Sequence, residues 1–212
     1  MLITKILKSR AQRQGYAIYV DEAFAFTVSE AVLVKFGLYT GQRIDDKTVE
    51  LVASAEAFDR ANRIAINFIS YRPRSTKEII NKLLSKGYST ELAKKVTDHL
   101  TSLKMLNDVE FARMFVRDKL RGKPMGKSMM RRKLLEKGIT PQTIERVLRE
   151  FISEEDEQEA AKKLIERKLR HSNERFAKLD LLRQRKRLVD YLLSRGFSTE
   201  VAMKTVRILI AS

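Results

Sequence analysis

The chain has no cysteine, no tryptophan and only two histidines. Without thiols there is neither a disulfide framework nor a thiolate metal site. His99 and His171 stand alone, with no spacing that resembles a zinc motif. No Gly-rich phosphate loop or dinucleotide fingerprint occurs, and the carboxylates are scattered along helical stretches, where they read as ion-pair partners. An enzyme is therefore not expected, and neither is a metal or a cofactor. Proline is held to 3 residues and glycine to 8, which argues against both a disordered tail and an extended β architecture. No apolar run approaches the roughly 18 residues of a membrane helix. Met1–Ile6 lacks the apolar core and small-residue cleavage site of a signal peptide. These absences leave a cytoplasmic location as the expectation, with no membrane attachment.

Charge is abundant and lopsided. Lys and Arg number 43 against 27 Asp and Glu, a net charge of +16. Residues 1–55 carry only +1 of it and residues 56–212 carry +15. A field of that sign attracts polyanions and speeds encounter with them.

The first 55 residues have a pattern of their own. Leu2 to Lys8 reads as a strand. Tyr16–Val20 and Ala23–Val28, rich in aromatic and β-branched residues, flank Asp21-Glu22 as a two-residue hairpin without glycine. Ser29 is placed to cap a short helix over Glu30–Phe36 that stops at Gly37, and Asp45 or Asp46 opens another helix toward Ala53.

From residue 56 the apolar period is helical, and the chain repeats itself. Leu83-Leu84-Ser85-Lys86-Gly87-Tyr88-Ser89, Leu134-Leu135-Glu136-Lys137-Gly138-Ile139-Thr140 and Leu192-Leu193-Ser194-Arg195-Gly196-Phe197-Ser198 align residue by residue. Glycine just past an apolar run closes a helix in the left-handed conformation. The base before it meets the negative end of the helix dipole, and the following Ser or Thr caps the next helix, with Pro141 at a first helical position. Ile79, Ile80, Leu83 and Leu84, Met130, Leu134 and Leu135, and Leu188, Val189, Leu192 and Leu193 read as core stripes. So do Ala93, Val96 and Leu100 with their counterparts Ile144, Val147 and Phe151, and Ala202, Val206 and Leu209. A further apolar helix precedes each pair, at Ala61–Ile69, Phe111–Val116 and Ala160–Leu169.

The expected fold class is mainly α: a tandem array of three three-helix repeats, curved and elongated, behind a small N-terminal α/β cap of hairpin plus helix. The expected domains are 1–55, 56–106, 107–155 and 156–212. The link from His171 to Leu182 is the expected mobile segment. Glu154-Glu155-Asp156-Glu157 is read as charge at a helix N-terminus rather than as a metal site. A monomer is expected.

Basic residues cluster before and within the second helix of each repeat. They are Arg72, Arg74, Lys77, Lys82 and Lys86 in the first; Arg117, Lys119, Arg121, Lys123, Lys127, Arg131, Arg132 and Lys133 in the second; and Arg183, Arg185, Lys186 and Arg187, with Arg195 beyond them, in the third. Ser75 and Glu78 form a capping box behind Arg72-Pro73-Arg74. Few aromatics interrupt these clusters, so tracking of a phosphate backbone fits better than base stacking.

Arg72-Pro73-Arg74-Ser75-Thr76-Lys77-Glu78, followed by Leu83 and Lys86-Gly87, resembles the first-repeat signature of the RecX regulatory proteins. Leu106-Asn107-Asp108-Val109-Glu110-Phe111-Ala112, followed by Gly126, Leu134 and Lys137-Gly138-Ile139, resembles the second. The third glycine turn and the Tyr16–Gly41 hairpin and helix also fit, so the likeness spans essentially the whole chain. The resemblance implies a cytoplasmic modulator of the RecA recombinase. Such a protein binds RecA and its filaments on DNA, binds DNA itself, and restrains ATP hydrolysis, strand exchange and the SOS response. It implies no catalytic residues and no cofactor. Two other readings stay open on residues alone: a stand-alone helix-turn-helix-like DNA-binding protein, and a helical protein scaffold whose charge is incidental.

Overall fold

A computed structural model describes residues 1–9, 15–122, 124–171, 176 and 179–210. Lys123 and half of the 171–182 link (172–175, 177 and 178) lie outside the described residues, and with them the expectation of a mobile segment. Three strands and ten helices are described, and the chain divides into two compact units. One comprises Met1–Pro73 with Ile79–Met105, the other Arg74–Glu78 with Leu106–Ser212.

In the first unit, β1 (Ile3–Lys8), β2 (Gly15–Val20) and β3 (Ala23–Ser29) form an antiparallel sheet in chain order. Asp21 and Glu22 both take positive φ, 47° and 67°. That is the handedness a two-residue hairpin turn needs, reached here without glycine. Ser29 caps α1 (Glu30–Phe36), and Gly37 ends it at φ 55°. Ile3, Ile18, Val28 and Val32 pack with Leu38, Ile44 and Val52 into one core.

The sequence pattern separates a helix toward Ala53 from another at Ala61–Ile69; the structure joins them. α2 runs unbroken from Asp46 to Ser70 behind the Asp45 cap. The segment contains neither Gly nor Pro, so nothing local stops a helix that is also rich in alanine. The point between residues 55 and 56 therefore lies inside a helix. Glu56 on that helix is buried. Its carboxylate accepts the Ser29 N–H at 2.6 Å and Arg60 Nε at 2.6 Å, and Arg60 also donates to Thr27 Oγ1 at 2.9 Å. This pair ties α2 to the end of β3 and the head of α1.

α3 (Thr76–Leu84) and α4 (Thr90–Ser102) complete the first three-helix repeat. The second is α5 (Asp108–Arg121), α6 (Lys127–Glu136) and α7 (Pro141–Phe151). The third is α8 (Glu154–Arg170), α9 (Leu181–Ser194) and α10 (Thr199–Leu209). All three turn glycines take positive φ, 82–84°. Ser89, Thr140 and Ser198 each cap the following helix, and Pro141 opens α7. Glu154–Glu157 form the first turn of α8, behind a capping box of Ser153 and Asp156.

The Leu-Leu pairs, expected to be core at both positions, are split. Leu83, Leu134 and Leu192 are fully buried, while Leu84, Leu135 and Leu193 are 40, 44 and 38% exposed. Successive helical residues point about 100° apart, so one apolar stripe rarely holds both.

Within the second unit a contact recurs between consecutive repeats. Ser75, twelve residues before Gly87, donates its hydroxyl to the Lys137 carbonyl at 2.7 Å. Gly126, twelve residues before Gly138, donates its N–H to the Arg195 carbonyl at 3.0 Å. Each acceptor stands just before a turn glycine. The same docking is made once by a side chain and once by backbone.

Candidate nucleic-acid interface

The basic clusters lie before and along α3, α6 and α9, with Arg117, Lys119 and Arg121 on the C-terminal half of α5, and the structure sorts their members by what already holds them. Around α3, the Ser75–Glu78 capping box is present, with the Glu78 N–H on Ser75 Oγ at 3.3 Å and the Ser75 N–H on Glu78 Oε2 at 3.2 Å. Arg72 donates to the Pro73 carbonyl at 2.9 Å, and Arg74 is half-buried and engaged. Lys82 lies over the Phe68 ring, 5.3 Å from its centroid.

In the second repeat Arg117 stacks on Phe151 at 4.7 Å. Lys119 sits between Asp118, at 2.8 Å, and the Phe115 ring. Lys127 pairs with the buried Glu157 at 3.1 Å. Arg131 clasps Glu145 on α7 with two hydrogen bonds of 2.6 and 3.0 Å. Those bonds hold the Glu145 carboxyl below the usual carboxylate range and raise the Arg131 guanidinium further. Arg131 is thus committed to fastening α6 to α7. Arg132 approaches Glu136 at 3.9 Å.

In the third repeat Arg183 pairs with Asp180 at 3.2 Å, and Arg185 gives two hydrogen bonds to the Ile210 carbonyl, at 2.6 and 3.2 Å. Arg195 lies over Tyr191. The side chains of Lys77, Lys86, Arg121, Lys133, Lys186 and Arg187 have no hydrogen bond, ion pair or ring contact among the described residues. These six keep their charge available. A cation already matched to a carboxylate offers an incoming phosphate less, because the existing pair must first be broken.

The third helix of each repeat adds exposed bases that the sequence-derived set omits: Lys94 and Lys95 on α4, Arg146 and Arg149 on α7, and Lys204 and Arg207 on α10. In glycine register Lys95, Arg146 and Lys204 coincide, and Arg149 coincides with Arg207; that register is the signal that finds them. Lys204 and Arg207 line a cavity of about 520 Å³ together with Arg185, Glu200 and Met203. His99 is exposed and meets the Phe58 ring edge-on at 5.5 Å, a packing contact. Among the described residues no group of three or more His, Cys, Asp or Glu is placed to hold a metal ion, and no helix is long and apolar enough to cross a membrane.

Family models match the chain in four places. The RecX first, second and third three-helix domains match residues 61–100, 107–148 and 154–206, and the regulatory protein RecX N-terminal domain matches residues 1–45. The chain is 31% identical over 202 residues to the regulatory protein RecX of Listeria innocua, covering 95% of this chain and 73% of that one. It is 33% identical over 210 residues to the regulatory protein RecX of Lactobacillus delbrueckii subsp. bulgaricus, covering 99% and 75%. A crystal structure of a regulatory protein RecX superimposes with a TM-score of 0.75 at 28% identity, over 96% of this chain and 98% of that one. RecX from Lactobacillus salivarius shares the fold, with a TM-score of 0.65 at 22% identity over 74% of this chain and 99% of that one.

Proposed function

The chain belongs to the RecX family of regulatory proteins, and on that premise we propose that it is a binding regulator of the RecA recombinase. It docks on RecA and on RecA filaments assembled on DNA, and it restrains ATP hydrolysis, strand exchange and the SOS response that filaments trigger. It acts in the cytoplasm, without catalysis of its own. The observation that carries this reading is the family match through the N-terminal domain and each of the three three-helix domains.

The physical chemistry supports it. A filament on DNA displays protein surface and phosphate together. The chain brings a near-neutral N-terminal region and a helical region of +15 to meet them. The basic clusters before and along α3, α6 and α9 are the proposed docking surface, with Lys77, Lys86, Arg121 (at the end of α5), Lys133, Lys186 and Arg187 as its free charges.

The test is RecA's DNA-dependent ATPase, measured on preformed filaments while this protein is titrated in. Inhibition is expected at or below one regulator per RecA. An unchanged rate at every ratio in low salt would overturn the proposal.

A further inference from the structure

The three glycine turns set a common register for the helix pairs around them, which allows a position-by-position comparison of the repeats. From the residue twelve before each glycine to the one thirteen after it, only two positions carry a base in all three repeats. One is the residue just before the glycine: Lys86, Lys137 and Arg195. Structure explains that one. It sits at the end of the second helix, where a cation meets the dipole. Lys137 also pairs with Glu78 at 2.6 Å, and Arg195 lies over Tyr191.

The other position lies eight residues past the glycine: Lys95, Arg146 and Lys204. Each is the sixth residue of its helix, in α4, α7 and α10, so neither helix end accounts for the charge. Each is exposed, and none makes a hydrogen bond, ion pair or ring contact among the described residues. Lys95 adds its charge only weakly to Glu91, whose carboxyl is lowered chiefly by a backbone hydrogen bond and by Ser89. The positions two before and one after it are buried in every repeat: Ala93 and Val96, Ile144 and Val147, Ala202 and Thr205. The core thus holds each cation on a fixed helical face without using it.

Charge persists at this position while shape does not, since Lys and Arg alternate. The residues one before it, Lys94, Glu145 and Met203, have nothing in common. A ligand that demands charge, tolerates either head group and is met once per repeat is a chain of equivalent anions. We propose that Lys95, Arg146 and Lys204 are phosphate contacts, one from each repeat, to the backbone of DNA. The inference deepens the reading given above, since it names DNA-contacting residues for a regulator that works on DNA-bound filaments. It moves those contacts to the third helix of each repeat.

The experiment compares two charge-matched triple variants of the full chain. One joins Lys95→Gln, Arg146→Gln and Lys204→Gln. The other joins Lys94→Gln, Lys162→Gln and Arg167→Gln, exposed bases that do not recur between repeats. Binding to fluorescein-labelled oligo(deoxythymidine) and to a random-sequence duplex is followed by anisotropy across a salt series. For the first variant the slope of log K against log salt should shrink by roughly 2.7 on duplex and roughly 2 on single strand, at about 0.9 and 0.7 per phosphate. For the second it should shrink by less than about 1. Each single substitution of the first set should remove about 0.9 on duplex, a readout that survives should the triple variant fold poorly. Equal losses in both triple variants, or an unchanged slope in the first, would overturn the assignment. So would weakened RecA binding with an unaltered DNA slope, which would turn these cations toward an acidic protein face. The ATPase titration of the unmodified protein stands apart, so failure of the regulatory reading is distinguishable from failure of this one.

Discussion

Ser153 and Asp156 exchange hydrogen bonds at the head of α8. The Asp156 N–H donates to Ser153 Oγ at 3.0 Å, and Asp156 Oδ2 accepts from the Ser153 N–H at 3.0 Å and from its hydroxyl at 2.9 Å. The backbone bond first, and the hydroxyl second, hold the Asp156 carboxyl below its ordinary value. A carboxyl lowered in the folded state contributes stability that is fully present above the unfolded value of about 3.9, and that fades as pH falls through the lower folded value. Ser153→Ala is expected to cost about 1 kcal/mol in urea denaturation at neutral pH. Asp156→Asn should also destabilise at neutral pH, and it should flatten the loss of stability between pH 5 and acid relative to the unmodified chain, because the group that titrates is gone. An acid limb as steep as before would refute that assignment. The sequence shows four consecutive acids here; it takes the helix start at Glu154 to single out Asp156 as the one that closes the box.

Among the elements, the glycine turns differ in what surrounds them. Gly87 has φ +84° and open space beyond its α-carbon, so an alanine there meets only the left-handed strain of about 1–2 kcal/mol. Gly126 has an ordinary φ of −71° but is packed directly on the next repeat's turn. A methyl group at Gly126 would overlap the Gly196 carbonyl and the Phe197 nitrogen, backbone atoms that cannot rotate away. Gly126→Ala should therefore cost about 3 kcal/mol or more, and distinctly more than Gly87→Ala, by thermal or urea denaturation. Equal costs would mean that the close approach of these two backbones is not required. The turn role of Gly196 is legible in sequence, from the apolar run before it and the serine after it. The packing role of Gly126 is not, because its partner lies seventy residues away.

For the molecule as a whole, the excess of charge decides how it meets partners rather than how it folds. A surplus of +15 beyond residue 55 should give DNA binding that is indifferent to sequence and falls linearly on a log–log plot against salt. A scaffold with incidental charge should show almost no slope. A sequence-reading helix-turn-helix protein should keep a large preference for a selected duplex at physiological salt. Anisotropy titrations on random and selected duplexes separate these outcomes. The basic clusters crowd before and along the second helix of each repeat, yet apart from the base just before the glycine no member recurs in all three; pairs such as Lys77 and Lys186, Lys82 and Lys133, and Lys127 and Arg185 coincide in two. In glycine register Arg131 corresponds to Ile80 and Val189, and Arg132 to Asn81 and Asp190. Local crowding of bases is a poorer guide to a repeated contact than recurrence in register.

What the amino-acid sequence alone determines is whatever depends on near neighbours. Helical period, a cap three residues ahead of the N–H it accepts, a turn glycine after an apolar run and an acidic hairpin turn are all local. Hence three helix-turn-helix pairs, the Ser29, Ser89, Thr140 and Ser198 caps and the family likeness were readable before any coordinates. Tertiary structure decided the rest, because it depends on which distant residues the folded chain brings together. It joined two expected helices into α2, buried one leucine of each pair and exposed the other, and set Gly126 against Gly196. It also spent Arg131 on Glu145 and Lys127 on Glu157, leaving free a cation in each repeat that crowding did not single out.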